Sequence, residues 1–116
     1  MPKTPGQMSK DPICSLLGLA AKGRNVVSGE FSVESALKSG KAYVVIIAND
    51  ASENTKKKFT DMAAYRGVPV YLYQDKDILG KSLGQQMRAM VALTDEGLAK
   101  AVIKKFGKSE AIGGSE

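Results

Sequence analysis

Residues 43–48, Tyr-Val-Val-Ile-Ile-Ala, form an unbroken apolar run that stops abruptly at Asn49-Asp50, with Ser52 just beyond. A continuous β-branched run of this kind predicts a strand buried on both faces, not the alternation of a strand with one wet face. Asn, Asp and Ser at its end are helix N-cap residues, because their side-chain oxygens accept from unpaired first-turn N–H groups. A buried strand that delivers a helix start is the unit of an α/β sheet, and ligands sit where such strands end.

The same patterning extends in both directions. Asp11-Pro12 opens a helix through Leu16, Leu17 and Leu19 to Gly23, with proline at its first position. Val26-Val27 reads as a short strand. Ser28-Gly29-Glu30 then starts a helix with Phe31, Val33, Ala36 and Leu37 as its apolar face, ending at Gly40. A helix over 52–66 carries Phe59, Met62 and Ala63 at helical spacing. Residues 69–73 predict a third strand, with Val70 and Leu72 alternating against Tyr71 and Tyr73. Asp75 or Asp77 caps a short helix to Leu83, residues 87–93 form a fourth strand, and Asp95 begins a helix through Phe106. Strands separated by helices predict an α/β fold, a three-layer α-β-α sandwich with a central four-stranded sheet. Residues 10–106 make one domain, and residues 1–9 and 107–116 read as a flexible lead and tail.

Charge and rare residues then limit the chemistry. A formal charge of +5 points to a polyanionic partner. One cysteine and no histidine exclude an intramolecular disulfide, a Cys/His zinc site and an imidazole base. No apolar run approaches the ~20 residues of a membrane span and no signal-peptide centre is present, so the expectation is a cytoplasmic protein without membrane contact. Gly80-Lys81-Ser82 resembles the end of a phosphate loop, but Asp75 stands where that motif needs glycine. Cys14, beside Leu16 and Leu17, reads as a structural thiol, and Asp50, Asp75 and Asp77 as N-caps rather than metal ligands. The chain therefore reads as a non-enzyme, with no catalytic residue, metal or cofactor. Lys56-Lys57-Lys58 is the densest charge run, either a solvated face or a phosphate contact. Cations and amides cluster near predicted element ends: Lys22, Arg24 and Asn25; Lys38 and Lys41; and Lys81, Gln85, Gln86 and Arg88 around Gly84. Amides can read base edges while Lys and Arg hold phosphates. The low aromatic content, 6%, argues against a stacking platform for single strands.

Several separated blocks carry a family resemblance. Val-Val-Ser-Gly-Glu at 26–30, a helix to Ser39-Gly40, the strand 43–48 with Asn49-Asp50, and Leu79-Gly80 with Gly84 occur in one order. That order resembles the kink-turn-binding ribosomal protein superfamily of archaeal L-seven-Ae and eukaryotic L-thirty-e. Residues 52–58 and Asp95-Glu96-Gly97 make the chain closer still to its small bacterial YlxQ-like branch. The resemblance covers residues 10–106 and implies a sandwich that grips RNA with the loops at one end of its sheet.

In that family a Gly-x-Asn-Glu-x-x-Lys segment opens the second helix and reads the tandem G·A pairs of a kink-turn. Counting back from Gly40 sets it on residues 29–35: Gly29 matches, Glu30 follows, and Phe31, Ser32 and Ser35 stand in place of Asn, Glu and Lys. Asp50 matches the acidic residue of the strand-to-helix loop. Gln85, Gln86 and Met87 fall in the loop that approaches an extruded nucleotide, and Lys38, Lys81 and Arg88 complete the implied RNA-binding set. Each base-reading side chain is worth about 1–3 kcal/mol, so three replacements remove most kink-turn selectivity and spare phosphate affinity. The expectation is a monomeric, non-catalytic, ribosome-associated or ribonucleoprotein factor. Its partner would be structured RNA (ribosomal RNA, ribonuclease P RNA or a riboswitch), alongside ribosomal or ribonucleoprotein proteins. The alternative is a protein-interaction module on the same fold, docking through an apolar patch around Phe31; exposure of Phe31 would favour it.

Overall fold

The computed structural model describes residues 11–107 and 111–112. Its elements in chain order are α1 (Pro12–Lys22), β1 (Val26–Ser28), α2 (Glu30–Lys38), β2 (Val44–Ile47), α3 (Glu53–Tyr65), β3 (Val70–Leu72), α4 (Lys76–Ser82), β4 (Met90–Leu93), α5 (Glu96–Phe106) and β5 (Ala111–Ile112). The sheet order is β1-β4-β2-β3-β5. Strand β4 runs antiparallel to both β1 and β2, with Ala92 opposite Val27 and Val45, whereas β2 and β3 are parallel, with Val45 opposite Val70.

Strand β2 is fully buried, and its alternation explains the continuous run. Val44, Ile46 and Ala48 pack with Leu17, Ala20, Leu79, Val102 and Phe106, from α1, α4 and α5. Val45 and Ile47 face Val33, Leu37, Phe59 and Ala63, from α2 and α3. Strand β3 divides in the same way: Tyr71 stacks on Phe106 with ring centroids 4.3 Å apart, while Val70 faces the other layer. The α-β-α sandwich and the four expected strands are present.

Three details differ from the pattern. Ala111–Ile112 adds a fifth strand, with Val70 opposite Ile112, inside the stretch read as a tail. Residues 1–10, 108–110 and 113–116, which hold the expected lead and the rest of that tail, lie outside the described residues. The fourth strand begins at Met90 instead of 87, because residues 85–88 form a loop against α4. Phe31 leaves the apolar face of α2 and is 87% exposed, whereas Val33, Ala36 and Leu37 are buried. At 3.6 residues per turn Phe31 lies roughly 200° from Val33 and so faces away from the sheet. Among the described residues no helix is long and apolar enough to cross a membrane.

Candidate functional site

Strand direction decides which loops meet. Because β4 opposes β1 and β2, its start lies at the same end of the sheet as the ends of β1, β2 and β3. Four segments therefore converge there: residues 28–30, 49–52, 74–76 and 85–88.

Hydrogen bonds join these segments in turn. The Asn49 N–H donates to the Gln74 carbonyl at 2.7 Å. The Lys76 N–H, first in α4, donates to Asp50 Oδ1 at 3.0 Å, and the Lys76 carbonyl accepts from the Arg88 N–H at 3.1 Å. Arg88 Nε then donates to Ser28 Oγ and to Gln85 Oε1, each at 3.0 Å, while Ser28 Oγ donates to Gln85 Oε1 at 3.1 Å. Thr55 Oγ1 donates to Glu30 Oε2 at 3.3 Å, tying the start of α3 to the start of α2.

Two glycines permit this arrangement. Gly29 has φ 89°, a conformation that strains an L side chain, and it is the N-cap of α2 without any side-chain cap. The other four described helices are each capped by a carboxylate or hydroxyl: Asp11, Ser52, Asp75 and Asp95. The first N–H groups of α2 are thus left for an outside acceptor, and a phosphate suits that position. Gly80 serves by closeness: a Cβ there would lie 1.9 Å from the Gln86 carbonyl oxygen. That approach lets residues 85–88 lie directly on α4.

The expected site residues therefore separate by position. Gly29, Glu30, Asp50, Gln85, Gln86, Met87 and Arg88 lie on the joined loops. Phe31, Ser32 and Ser35 follow along α2, with Phe31 and Ser35 exposed and Ser32 half-buried. Lys81 stands beside the loops on α4, paired with Asp77 at 3.3 Å. Asp77, Lys81, Gln85, Gln86, Met87 and Arg88 line an open groove of about 490 Å³. Lys38 lies at the far end of α2, about 12 Å along the axis from Glu30, and pairs with Glu34 at 2.9 Å.

The cluster of cations inferred from element ends forms two groups. The Asn25 carbonyl accepts from the Thr94 N–H at 2.8 Å, just beyond the end of β4, so Lys22, Arg24 and Asn25 lie at the opposite end of the sheet. The Tyr43 N–H donates to the Leu93 carbonyl at 2.9 Å, which brings neighbouring Lys41 to that end too. The Lys56–Lys58 run is an ion-paired face, with Glu53 at 3.4 Å, Asp61 at 3.3 Å and Glu34 at 3.5 Å. Asp50 and Asp75 accept from helix N–H groups and Asp77 pairs with Lys81. No group of three His, Cys, Asp or Glu suited to a metal occurs among the described residues.

Near the start of α1, Asp11 accepts from the Ile13 and Cys14 N–H groups and from the Tyr73 hydroxyl. Burial pushes the Asp11 carboxyl up, but the Tyr73 hydroxyl and both N–H groups outweigh it and hold its pKa below the ordinary value. Tyr73 is raised, first by burial and then by its bond to Asp11. The Cys14 thiol lies 3.3 Å from the Tyr73 oxygen, within hydrogen-bond reach. Cys14 is buried and without a disulfide partner, in keeping with a structural thiol.

The sequence-based reading missed Ser28, Gln74, Thr55 and Lys76 as the links between loops. Gly80 sits inside a helix, as Gly18 and Gly97 do, so glycine within a helix did not by itself single out the close approach.

Known proteins resemble this chain in sequence and in fold. The Ribosomal protein L7Ae/L30e/S12e/Gadd45 family matches residues 11–103. The chain is 43% identical over 88 residues to the RNA-binding protein YlxQ of Bacillus subtilis (strain 168), covering 76% of this chain and 88% of that one. It is 37% identical over 87 residues to the RNA-binding protein YlxQ of Enterococcus faecium, covering 74% and 82%. The Giardia lamblia 15.5kD RNA binding protein superposes with a TM-score of 0.71 at 20% identity, over 85% of this chain and 87% of that one, a likeness of fold.

Proposed function

Because this chain belongs to the Ribosomal protein L7Ae/L30e/S12e/Gadd45 family, on its YlxQ-like branch, we propose that it binds structured RNA with the four joined loops. The observation that carries this reading is the uncapped start of α2 at Gly29, set among Asp50, Gln85 and Arg88 on neighbouring loops. There the first α2 N–H groups donate to a backbone phosphate, the Gln85 and Gln86 amides face base edges, and Lys81 and Arg88 supply cationic contacts. The RNA is a kink-turn or a similarly bent element in ribosomal RNA, ribonuclease P RNA or a riboswitch. The monomeric protein stabilises it in the cytoplasm without catalysis, beside ribosomal or ribonucleoprotein proteins.

Titration of folded RNA across a salt series tests the face. Affinity falls log-linearly with salt, and replacing Lys81 and Arg88 together by alanine lowers the slope by about 1 for each phosphate that is no longer neutralised. A slope unchanged in the double variant moves the RNA to another surface. Selectivity is tested by restoring the family's side chains. The variant Phe31→Asn, Ser32→Glu, Ser35→Lys prefers a kink-turn over a version with Watson–Crick pairs in place of its G·A pairs, with about 1–3 kcal/mol for each base-reading side chain restored. No gain in preference would reject the assignment of residues 29–35 as the reading segment.

The 87% exposure of Phe31 supports a second reading, a docking patch for a protein. Its surroundings weaken that reading, because none of the other exposed large apolar residues, Leu19, Tyr43, Tyr65 and Met87, lines the two surface depressions that Phe31 borders.

A further inference from the structure

Phe31 has a depression on each side. One, of about 440 Å³, is lined by Phe31, Glu34, Ser35, Lys38 and Ser39. The other, of about 230 Å³, is lined by Phe31, Ser32, Ser35, Ser39 and Lys41 together with Val27, Ala36 and Thr94. Together they flank α2 from Phe31 to Lys41, the second lying between the helix and the edge strand β1.

The track offers one flat ring, then hydroxyls and ammonium groups set beside the small apolar side chains of Val27 and Ala36. A docking patch for a protein would need several hundred Å² of contiguous apolar surface, which one ring does not provide. A nucleotide needs what is present: a ring face for the base, hydroxyls for the ribose and cations for the phosphate. Glu34 is the acid in the track, and its carboxylate is taken by Lys38 at 2.9 Å and Lys58 at 3.5 Å. Lys38 and Lys41 line the track against this one paired acid, so its net charge is positive and suits an anionic backbone. The track also continues from the loop end proposed for the folded RNA.

We propose that this face of α2 binds an unpaired segment leaving the folded RNA, its first base stacked on Phe31 and its backbone running along Ser35 and Ser39 towards Lys41. This inference deepens the loop-end reading and rests on it for where the segment begins. Its aromatic differs from the side chains that read G·A pairs, since a stack accepts any base.

The test uses the full chain and fluorescence anisotropy with three RNAs: a blunt folded element, the same element with a four-nucleotide single-stranded extension on either strand, and a short oligouridylate. The expected result is that one extension tightens binding on the order of tenfold, and that the ratio of extended to blunt affinity collapses to about one in Phe31→Ala and recovers in Phe31→Trp. Replacing Lys41 by alanine lowers the salt dependence of the extended RNA more than that of the blunt one. A 5-iodouridine in the extension crosslinks to residue 31. An extension that adds nothing, or a gain that survives Phe31→Ala, overturns the inference and returns Phe31 to the protein-docking reading. Failure of the loop-end reading looks different: the blunt RNA is not bound, yet oligouridylate still binds in a Phe31-dependent way. Phe31 is exposed, and a melting temperature unchanged in the variants confirms that folding is not the cause.

Discussion

Replacing Gly80 with alanine is expected to destabilise the protein by about 3 kcal/mol and to abolish tight RNA binding together. The added carbon would lie 1.9 Å from the Gln86 carbonyl oxygen, 2.5 Å from its carbon and 3.1 Å from the Gln85 oxygen. These are backbone atoms, so no side-chain rotation relieves the clash. If α4 holds its place, residues 85–88 must move away, breaking the Gln85 N–H bond to the Gly80 carbonyl and drawing Arg88 from Ser28. If the loop holds, α4 must shift against α1. A fall of about 15 °C in melting temperature follows from the first figure for a domain of this size. Gly18→Ala is the control: its Cβ would meet only the Ser82 carbonyl, at 3.3 Å, and the change also favours helix. Thermal melts and RNA titration of both variants decide the matter; a Gly80→Ala protein with wild-type stability and affinity would refute the close approach.

Asp11 is the second position with a large expected effect. Asp11→Ala removes the α1 cap, worth about 1 kcal/mol, and a charged acceptor for the Tyr73 hydroxyl, worth about 1.5–3 kcal/mol. The combined loss is about 3 kcal/mol. Asp11→Asn keeps capping ability and removes the charge, so it isolates the second part. The Asp11 pKa is lowered in the folded protein, so the contribution of its charge is complete above the unfolded carboxylate value of about 4. As pH falls through the folded value that contribution is lost. The stability gap between wild type and Asp11→Asn should therefore stay constant from neutral pH to about 5 and narrow below about 4. Urea titrations across that range measure it, and a gap that widened with acid would contradict the assigned direction.

The fold was legible because its strongest signals are local. The run at 43–48 announces burial on both faces, and Asp11, Ser52, Asp75 and Asp95 mark helix starts at their own positions. The site was legible only in part. Periodicity placed Phe31 with Val33, although two residues along a helix point to different sides. Asp50 looked like a cap for the helix that follows it, yet it accepts from Lys76, 26 positions on, while Ser52 caps the nearer helix. Which cations share an end of the sheet depends on strand direction, which charge spacing does not carry. That is why Lys22 and Arg24 parted from Lys81 and Arg88. The left-handed backbone of Gln74, φ 54°, left no trace in residue type, although its carbonyl joins two of the loops.

The bonds among Asn49, Gln74, Lys76, Arg88 and Ser28 have a thermodynamic consequence for assembly. Loops that are free in solution must surrender backbone and side-chain freedom when a ligand arrives, and affinity falls accordingly. Here that freedom is surrendered on folding of the chain itself. Ordering during complex formation then falls chiefly on whatever partner meets a surface already in place.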